Sequence, residues 1–317
     1  MSPDLEPQSE SAADASGSLL PVRPRVPSSP LPRWARITLL LTPALLVVAV
    51  FFATGVTEAV AQSLGYQPFV PGGRWSIDAY RALWKDPAVR ASILLTLRVA
   101  VVSTVVSAAL GVSAALLIRR LGRTRGLITA VFAGNLAVPH VVGALCMLLL
   151  LSQGGLLSRL SHAAGLTGSP ADFPALTGDR FGWAIIADYV WKETPFLAVV
   201  ALAALSRGVA ELEAVARTLG ADRRRRLRHV TLPILAPTVG AGSVLVFAFA
   251  AGSYEVPYLL GRPYPATLPV VALQYYDDTD LTARPEAMAI AVLITVLTCV
   301  VAAGYLFVAA RSARRPL

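Results

Sequence analysis

The chain has two lysines, Lys85 in Trp84-Lys85-Asp86 and Lys192 in Trp191-Lys192-Glu193. A phosphate-binding loop needs a glycine-rich turn ending in Gly-Lys-Ser/Thr, so that backbone amides and the lysine hold the phosphates. Neither lysine stands in that setting, and nothing resembles GxSxG, HExxH or a Cys-His pair. The expectation is a chain that is not an enzyme, binds no cofactor of its own and depends on a partner for any ATP-derived energy. His140, His162 and His229 are too scattered to build a metal site, so no metal is expected. Cys146 and Cys299 lie within apolar runs and read as packing residues, and no disulfide framework is implied. Asp277, Asp278 and Asp280 lack the ligand spacing of a calcium cage and read as a wet loop.

Ionisable residues inside apolar runs are functional candidates. They are Asp188, Lys192, Glu193 and Glu255, and with Asn135, His140 and Tyr254 they form the candidate lining of a translocation path. Each has a plainer reading. Asp188 and Lys192 are four apart and could pair on one helix face, and Glu255 could be a gate that meets a cation or an acid reaching the interface. Asn135, Pro139 and His140 interrupt their run, either to face a cavity or as a proline kink packed against neighbours.

A different chemistry is written in residues 211–233, a basic amphipathic stretch between two apolar segments. Leu212, Val215, Ala216 and Leu219 fall at i, i+3, i+4 and i+7, which gives a short helix one apolar stripe, with Glu211, Glu213 and Arg217 elsewhere around it. Gly220 stands where a left-handed cap ends a helix. Asp222 can cap a second short helix over 223–228, and Pro233 falls in the first turn of the next span. Such a loop can fix topology, lie on anionic lipid or bind a partner.

The elements that position these residues follow from composition. With 317 residues, 55% hydrophobic and 15% charged, and a mean hydropathy of +0.62, the chain suits a bilayer rather than water. A bilayer core of about 30 Å takes roughly 20 apolar residues per helical span. Six runs qualify, near 37–57, 92–118, 126–151, 183–205, 234–258 and 286–310. They are too long for barrel strands, so the expected fold is an all-α polytopic membrane protein with six transmembrane helices. If all six cross, one side carries 18 Lys and Arg and the other 8. By the positive-inside rule both termini and the 206–229 loop are cytoplasmic.

The expected organisation is a disordered cytoplasmic tail over 1–33, a first transmembrane helix over 34–58, a core over 92–310 containing the coupling loop 206–233, and a short cytoplasmic tail over 311–317. Ala59-Val60-Ala61 looks like a signal-peptidase site, but the preceding run is longer than a secretory signal and reads as a retained anchor.

The coupling loop also resembles a family motif. Permeases of ATP-binding-cassette importers that work with a solute-binding protein carry Glu-Ala-Ala, three residues, Gly, nine residues, Ile, one residue, Leu-Pro. Ala216-Arg217-Thr218-Leu219-Gly220-Ala221 is similar to its centre, and Val230, Leu232 and Pro233 stand at the later places. The Glu-Ala-Ala places hold Ala214, Val215 and Ala216, so the acid has slipped to Glu213. Ser76-Ile77-Asp78-Ala79-Tyr80, Gly111, Trp191 with Pro195, and Gly252-Ser253-Tyr254 with Pro257 extend the likeness over roughly 75–310. Residues 254–261 are most similar to spermidine/putrescine-type permeases.

The resemblance implies a MetI-like permease bundle in the plasma (cytoplasmic) membrane of a prokaryote. It implies alternating access powered by a separate ATPase subunit that uses ATP and docks on Glu211, Leu212, Glu213, Val215, Ala216, Arg217, Leu219 and Gly220, with Pro233 leading into the next span. Further implied partners are a second permease subunit, in a homo- or heterodimer, and an extracytoplasmic solute-binding protein; membrane lipid is expected and nucleic acid is not. A small solute, a polyamine by the nearest likeness, would be the cargo. The rival is a stand-alone transporter or channel driven by an ion gradient, for which no internal repeat is visible.

Overall fold

Backbone amides that face lipid must be satisfied within their own segment, and each long apolar run accordingly becomes helix. The computed structural model describes residues 32–67, 74–121, 124–205 and 207–313. Among them no strand occurs. The helices are α1 (Arg33–Ser63), α2 (Asp78–Lys85), α3 (Pro87–Ile118), α4 (Arg125–Ala137), α5 (His140–Leu151), α6 (Leu156–Ala163) and α7 (Trp183–Ala204). They are followed by α8 (Arg207–Thr218), α9 (Arg223–Arg226), α10 (Leu232–Gly252), α11 (Glu255–Leu260), α12 (Leu268–Tyr276) and α13 (Arg284–Ala313). Among the described residues five stretches are long and apolar enough to cross a membrane, and α7 reaches that threshold only when taken together with α8, from which it is bent by 68°, which gives up to six.

Several boundaries differ from the sequence reading. The first helix continues to Ser63, five residues beyond the expected 58. The run 126–151 is broken at Val138-Pro139, because a proline disfavours α geometry in the residue before it; Val138 has ψ 125°. The run 234–258 ends at Gly252, and α11 is a separate short helix after Ser253-Tyr254. Of the expected 1–33 tail, Pro32 is described and Arg33 already opens α1, while residues 1–31 lie outside the described residues; of the expected 311–317 tail, residues 311–313 still belong to α13 and 314–317 lie outside the described residues.

Two units are distinguished, residues 1–53 and 54–317. In the first, the described part of α1 returns its hydroxyls to its own backbone, Thr38 Oγ1 donating to the Trp34 carbonyl and Thr42 Oγ1 to that of Thr38. This satisfies polar groups in an apolar run.

The second unit is built on α3 and α7, which pack along each other and against α10. Gly111 permits that approach: a Cβ there would lie 2.8 Å from Leu197 Cβ and 3.0 Å from the Ala198 nitrogen. The buried core includes Leu95, Val99, Ile185, Tyr189, Phe247 and Leu260. The two helices at the centre of this unit have carboxylates at their starts, Asp86 accepting from the Ala88 amide with Pro87 in the first turn of α3, and Asp179 accepting from the amides of Phe181, Gly182 and Trp183 before α7. Cys146 and Cys299 are exposed, contrary to the expected packing role. Lipid and protein interior are equally apolar, so hydropathy does not tell an outer face from an inner one.

Candidate functional site

The basic stretch folds around α8, which leaves the axis of α7 at 68°. Its two faces have different fates. Val209 is buried, and Glu213 and Ala216 are partly so, the spacing of one helix face. Leu212, Val215 and Leu219 are 53%, 57% and 82% exposed, and Glu211 and Arg217 are exposed with them. The expected stripe therefore exists, with Ala216 at its inner edge.

Glu213 is turned inward. Nη2 of Arg119, at the end of α3, donates to both of its carboxylate oxygens at 2.9 and 2.7 Å, and Thr231 Oγ1 donates to Oε1 at 2.6 Å. Burial raises the Glu213 carboxyl, but the hydrogen bonds from Arg119 and Thr231 and the charges of Arg119 and Arg226 outweigh it and hold the group below its ordinary value. The one acid near the displaced motif place thus ties α8 to α3 and to the start of α10. Glu211 is the acid left on the outer surface. Arg119 and Thr231 lie 94 and 18 residues from Glu213, and no local pattern in the chain announces them.

Gly220 has φ +80°, the left-handed cap expected of it. The Gly220 amide bonds to the Arg217 carbonyl and that of Ala221 to Ala216, the paired bonds of a Schellman ending. A Cβ there would meet nothing within 4 Å, so backbone conformation rather than crowding within this chain calls for glycine. Asp222 caps α9, accepting from the Arg225 amide at 2.8 Å.

The second short helix departs from expectation. Residues 227–231 form a π turn that joins α9 to α10, so Arg223–Gly252 runs on as one stretch, while Pro233 falls in the first turn of α10 as expected. Proline lacks the amide for an intrahelical bond and crowds the carbonyl four residues back; the wider π turn relieves both, the Leu232 amide reaching back to the Leu227 carbonyl.

A second cluster sits where α4 and α5 break against α7. Lys192 Nζ donates to the carbonyls of Asn135 and Val138 at 2.7 and 2.6 Å, closing the end of α4 as a cation does at a helix C-terminus. It does not pair with Asp188, the alternative its spacing suggested, because the broken helix offers unsatisfied carbonyls nearer its ammonium. Asn135 Nδ2 donates to the Trp191 carbonyl at 3.1 Å, and His140 Nε2 lies 3.1 Å from Glu193 Oε1. Asp188 is fully buried and neither carboxylate oxygen has a hydrogen-bond partner. Five candidate path residues, Asn135, His140, Asp188, Lys192 and Glu193, are thereby brought to one break. Tyr254 and Glu255 lie at the other break, between α10 and α11, where Tyr254 stacks on Tyr258 at 5.1 Å and Glu255 is exposed.

Comparison with known proteins bears on this architecture. The profile described as binding-protein-dependent transport system inner membrane component matches residues 107–315, which include both clusters up to the last span. A probable molybdenum ABC transporter permease protein of Haloferax volcanii is 38% identical over 185 residues, covering 58% of this chain and 63% of that protein. The putrescine transport system permease protein PotI of Escherichia coli K12 is 30% identical over 226 residues, 69% of this chain and 72% of that one. The fold is shared with a crystal structure of a bacterial ABC transporter involved in alginate import, at a TM-score of 0.70 and 20% identity over 90% of this chain and 96% of that chain. This chain, a multi-pass membrane protein, belongs to the family of inner membrane components of binding-protein-dependent transport systems.

Proposed function

We propose that this ABC importer permease takes its driving force from a separate ATPase subunit docked on α8. The observation that carries the reading is the division of α8 into an outer stripe of Leu212, Val215 and Leu219 and an inner face held by Glu213. Apolar area in water gains about 25 cal/mol per Å² on burial, which favours a partner over exposure. A helix fixed at its back can pass a push to α3 and α10, whereas a loose loop would absorb it. In this reading Gly220 makes the corner, Glu211 and Arg217 supply polar contacts, and α8 and both termini are cytoplasmic. A second permease subunit completes the path, and an extracytoplasmic binding protein delivers the solute.

The path runs past Asn135, His140, Asp188 and Lys192, with Tyr254 and Glu255 at its other break. Cargo is a small charged solute. The likeness to a putrescine permease over 69% of the chain supports a polyamine. A molybdenum species is the second reading, favoured by the 38% identity to the Haloferax protein. Binding measurements on the purified solute-binding protein, screening polyamines against molybdate, decide between them.

Docking is tested by co-purification. Leu219→Asp or Val215→Asp removes the ATPase while leaving the permease folded, since both side chains are exposed. Variants that keep the ATPase at wild-type yield would sink the assignment of α8.

A further inference from the structure

A cavity of about 560 Å³ lies between the end of α3 and the corner of α8 and α9. Five arginines line it, Arg119, Arg120, Arg217, Arg223 and Arg226, against the single carboxylate of Glu213. That carboxylate is already taken by Arg119 and Thr231. Arg119 Nη1 is buried with no hydrogen-bond partner, and Arg226 spends Nη1 on the Ala221 carbonyl. Arg120, Arg217 and Arg223 have no carboxylate partner among the described residues. The nearby Asp222 is turned to the Arg225 amide and does not line the space.

Several uncompensated guanidinium groups around one concavity repel one another, and an anion placed among them removes that repulsion while its oxygens accept from the planar forks. The rest of the wall is apolar, with Leu116, Leu117 and Leu227. The apolar run of α3 ends at Ile118, and Arg119 follows it directly. The cavity therefore sits where hydrocarbon gives way to headgroups, charged on one side and greasy on the other.

We propose that this cavity binds a phosphate-type anion and that its occupant is the headgroup of an anionic phospholipid, whose chains run along Leu116 and Leu117. The lipid phosphate is a second tie between α3 and the α8–α9 corner, parallel to the Glu213 bond. The proposal goes beyond ATPase docking and does not depend on it, because binding is read on the permease chain alone.

Native mass spectrometry of the full-length chain in detergent, titrated with phosphatidylglycerol or with phosphatidylcholine of matched acyl chains, measures the occupancy. The wild-type chain is expected to hold phosphatidylglycerol at least tenfold more tightly, and Arg120→Gln/Arg217→Gln/Arg223→Gln to lose that preference, each arginine near the surface contributing about fivefold. The charge-matched variant Arg224→Gln/Arg225→Gln/Arg228→Gln, altered outside the cavity, keeps it. Equal retention of the two lipids by the wild-type chain overturns the lipid assignment, and this comparison stands even where a variant does not fold. Equal loss in both triple variants overturns the cavity in favour of general surface charge. Inorganic phosphate at constant ionic strength is the remaining arm: stabilisation by phosphate without a lipid preference assigns the cavity to a soluble oxyanion, and no response to either anion overturns the site altogether.

Discussion

Arg119 and Glu213 join the end of α3 to α8 through one guanidinium nitrogen set 2.9 and 2.7 Å from the two carboxylate oxygens. The pair is largely shielded, its side chains 26% and 16% exposed. Arg119→Met strands the acid, and removal of one partner from a buried hydrogen-bonded group costs about 1–3 kcal/mol. Hydrogen exchange of the α8 amides should accelerate by about tenfold or more. Replacing both partners, Arg119→Met with Glu213→Leu, should recover part of that protection, as paired removal leaves no uncompensated charge. Unchanged exchange in the single variant would count against the bond as the anchor of α8.

The same bond sets a pH dependence. Glu213 titrates below its ordinary value when folded, so its contribution is fully present above the unfolded carboxylate pKa of about 4.3 and is lost as pH falls through the lower folded value. Protection factors of α8 amides should stay level from neutral pH to about 5 and drop only in stronger acid. In Glu213→Gln the drop should be absent. A step near neutral pH that disappears in Glu213→Gln would contradict the depressed value.

Gly220 is a conformational requirement and not a steric one, which two substitutions can separate. Gly220→Ala places a Cβ in open space yet still carries the left-handed penalty of about 1 kcal/mol. Gly220→Asn should lose less than Gly220→Ala, because asparagine visits that region more readily. Thermal shifts that rank the two by size instead would refute this account.

Lys192 and Asp188 should respond unequally to neutral replacement. Lys192→Met leaves the Asn135 and Val138 carbonyls without their cation, a loss of about 1–3 kcal/mol. Asp188→Asn keeps the shape of a side chain that has no hydrogen-bond partner and should lower the melting temperature much less. Equal losses would mean that Asp188 depends on Lys192 after all.

What could be read from the chain was local. Gly220 and Asp222 act within a few residues of their own positions, and both stand as the pattern implied. Pro139 likewise marks the break before α5. The partners of Glu213 were invisible because tertiary folding brings Arg119 and Thr231 to it. Lys192 was open to misreading for a related reason: helical spacing identifies Asp188 as a neighbour, but only the fold shows the α4 carbonyls that compete for the ammonium. Pro233 stands in the first turn of α10 as read, but the joining of α9 to α10 was not legible, because the π turn that makes it has no sequence signature.

The uninterrupted helix from Arg223 to Gly252 makes the corner and the distant break one mechanical part. Thirty residues at 1.5 Å each give a lever of about 45 Å, and a tilt of about 5° displaces its far end by about 4 Å. That end adjoins Tyr254 and Glu255. Under the proposed drive from an ATPase, a small rotation at the arginine corner is magnified at the Tyr254 end, with the stroke set by the length of the rod and the stiffness of its π turn.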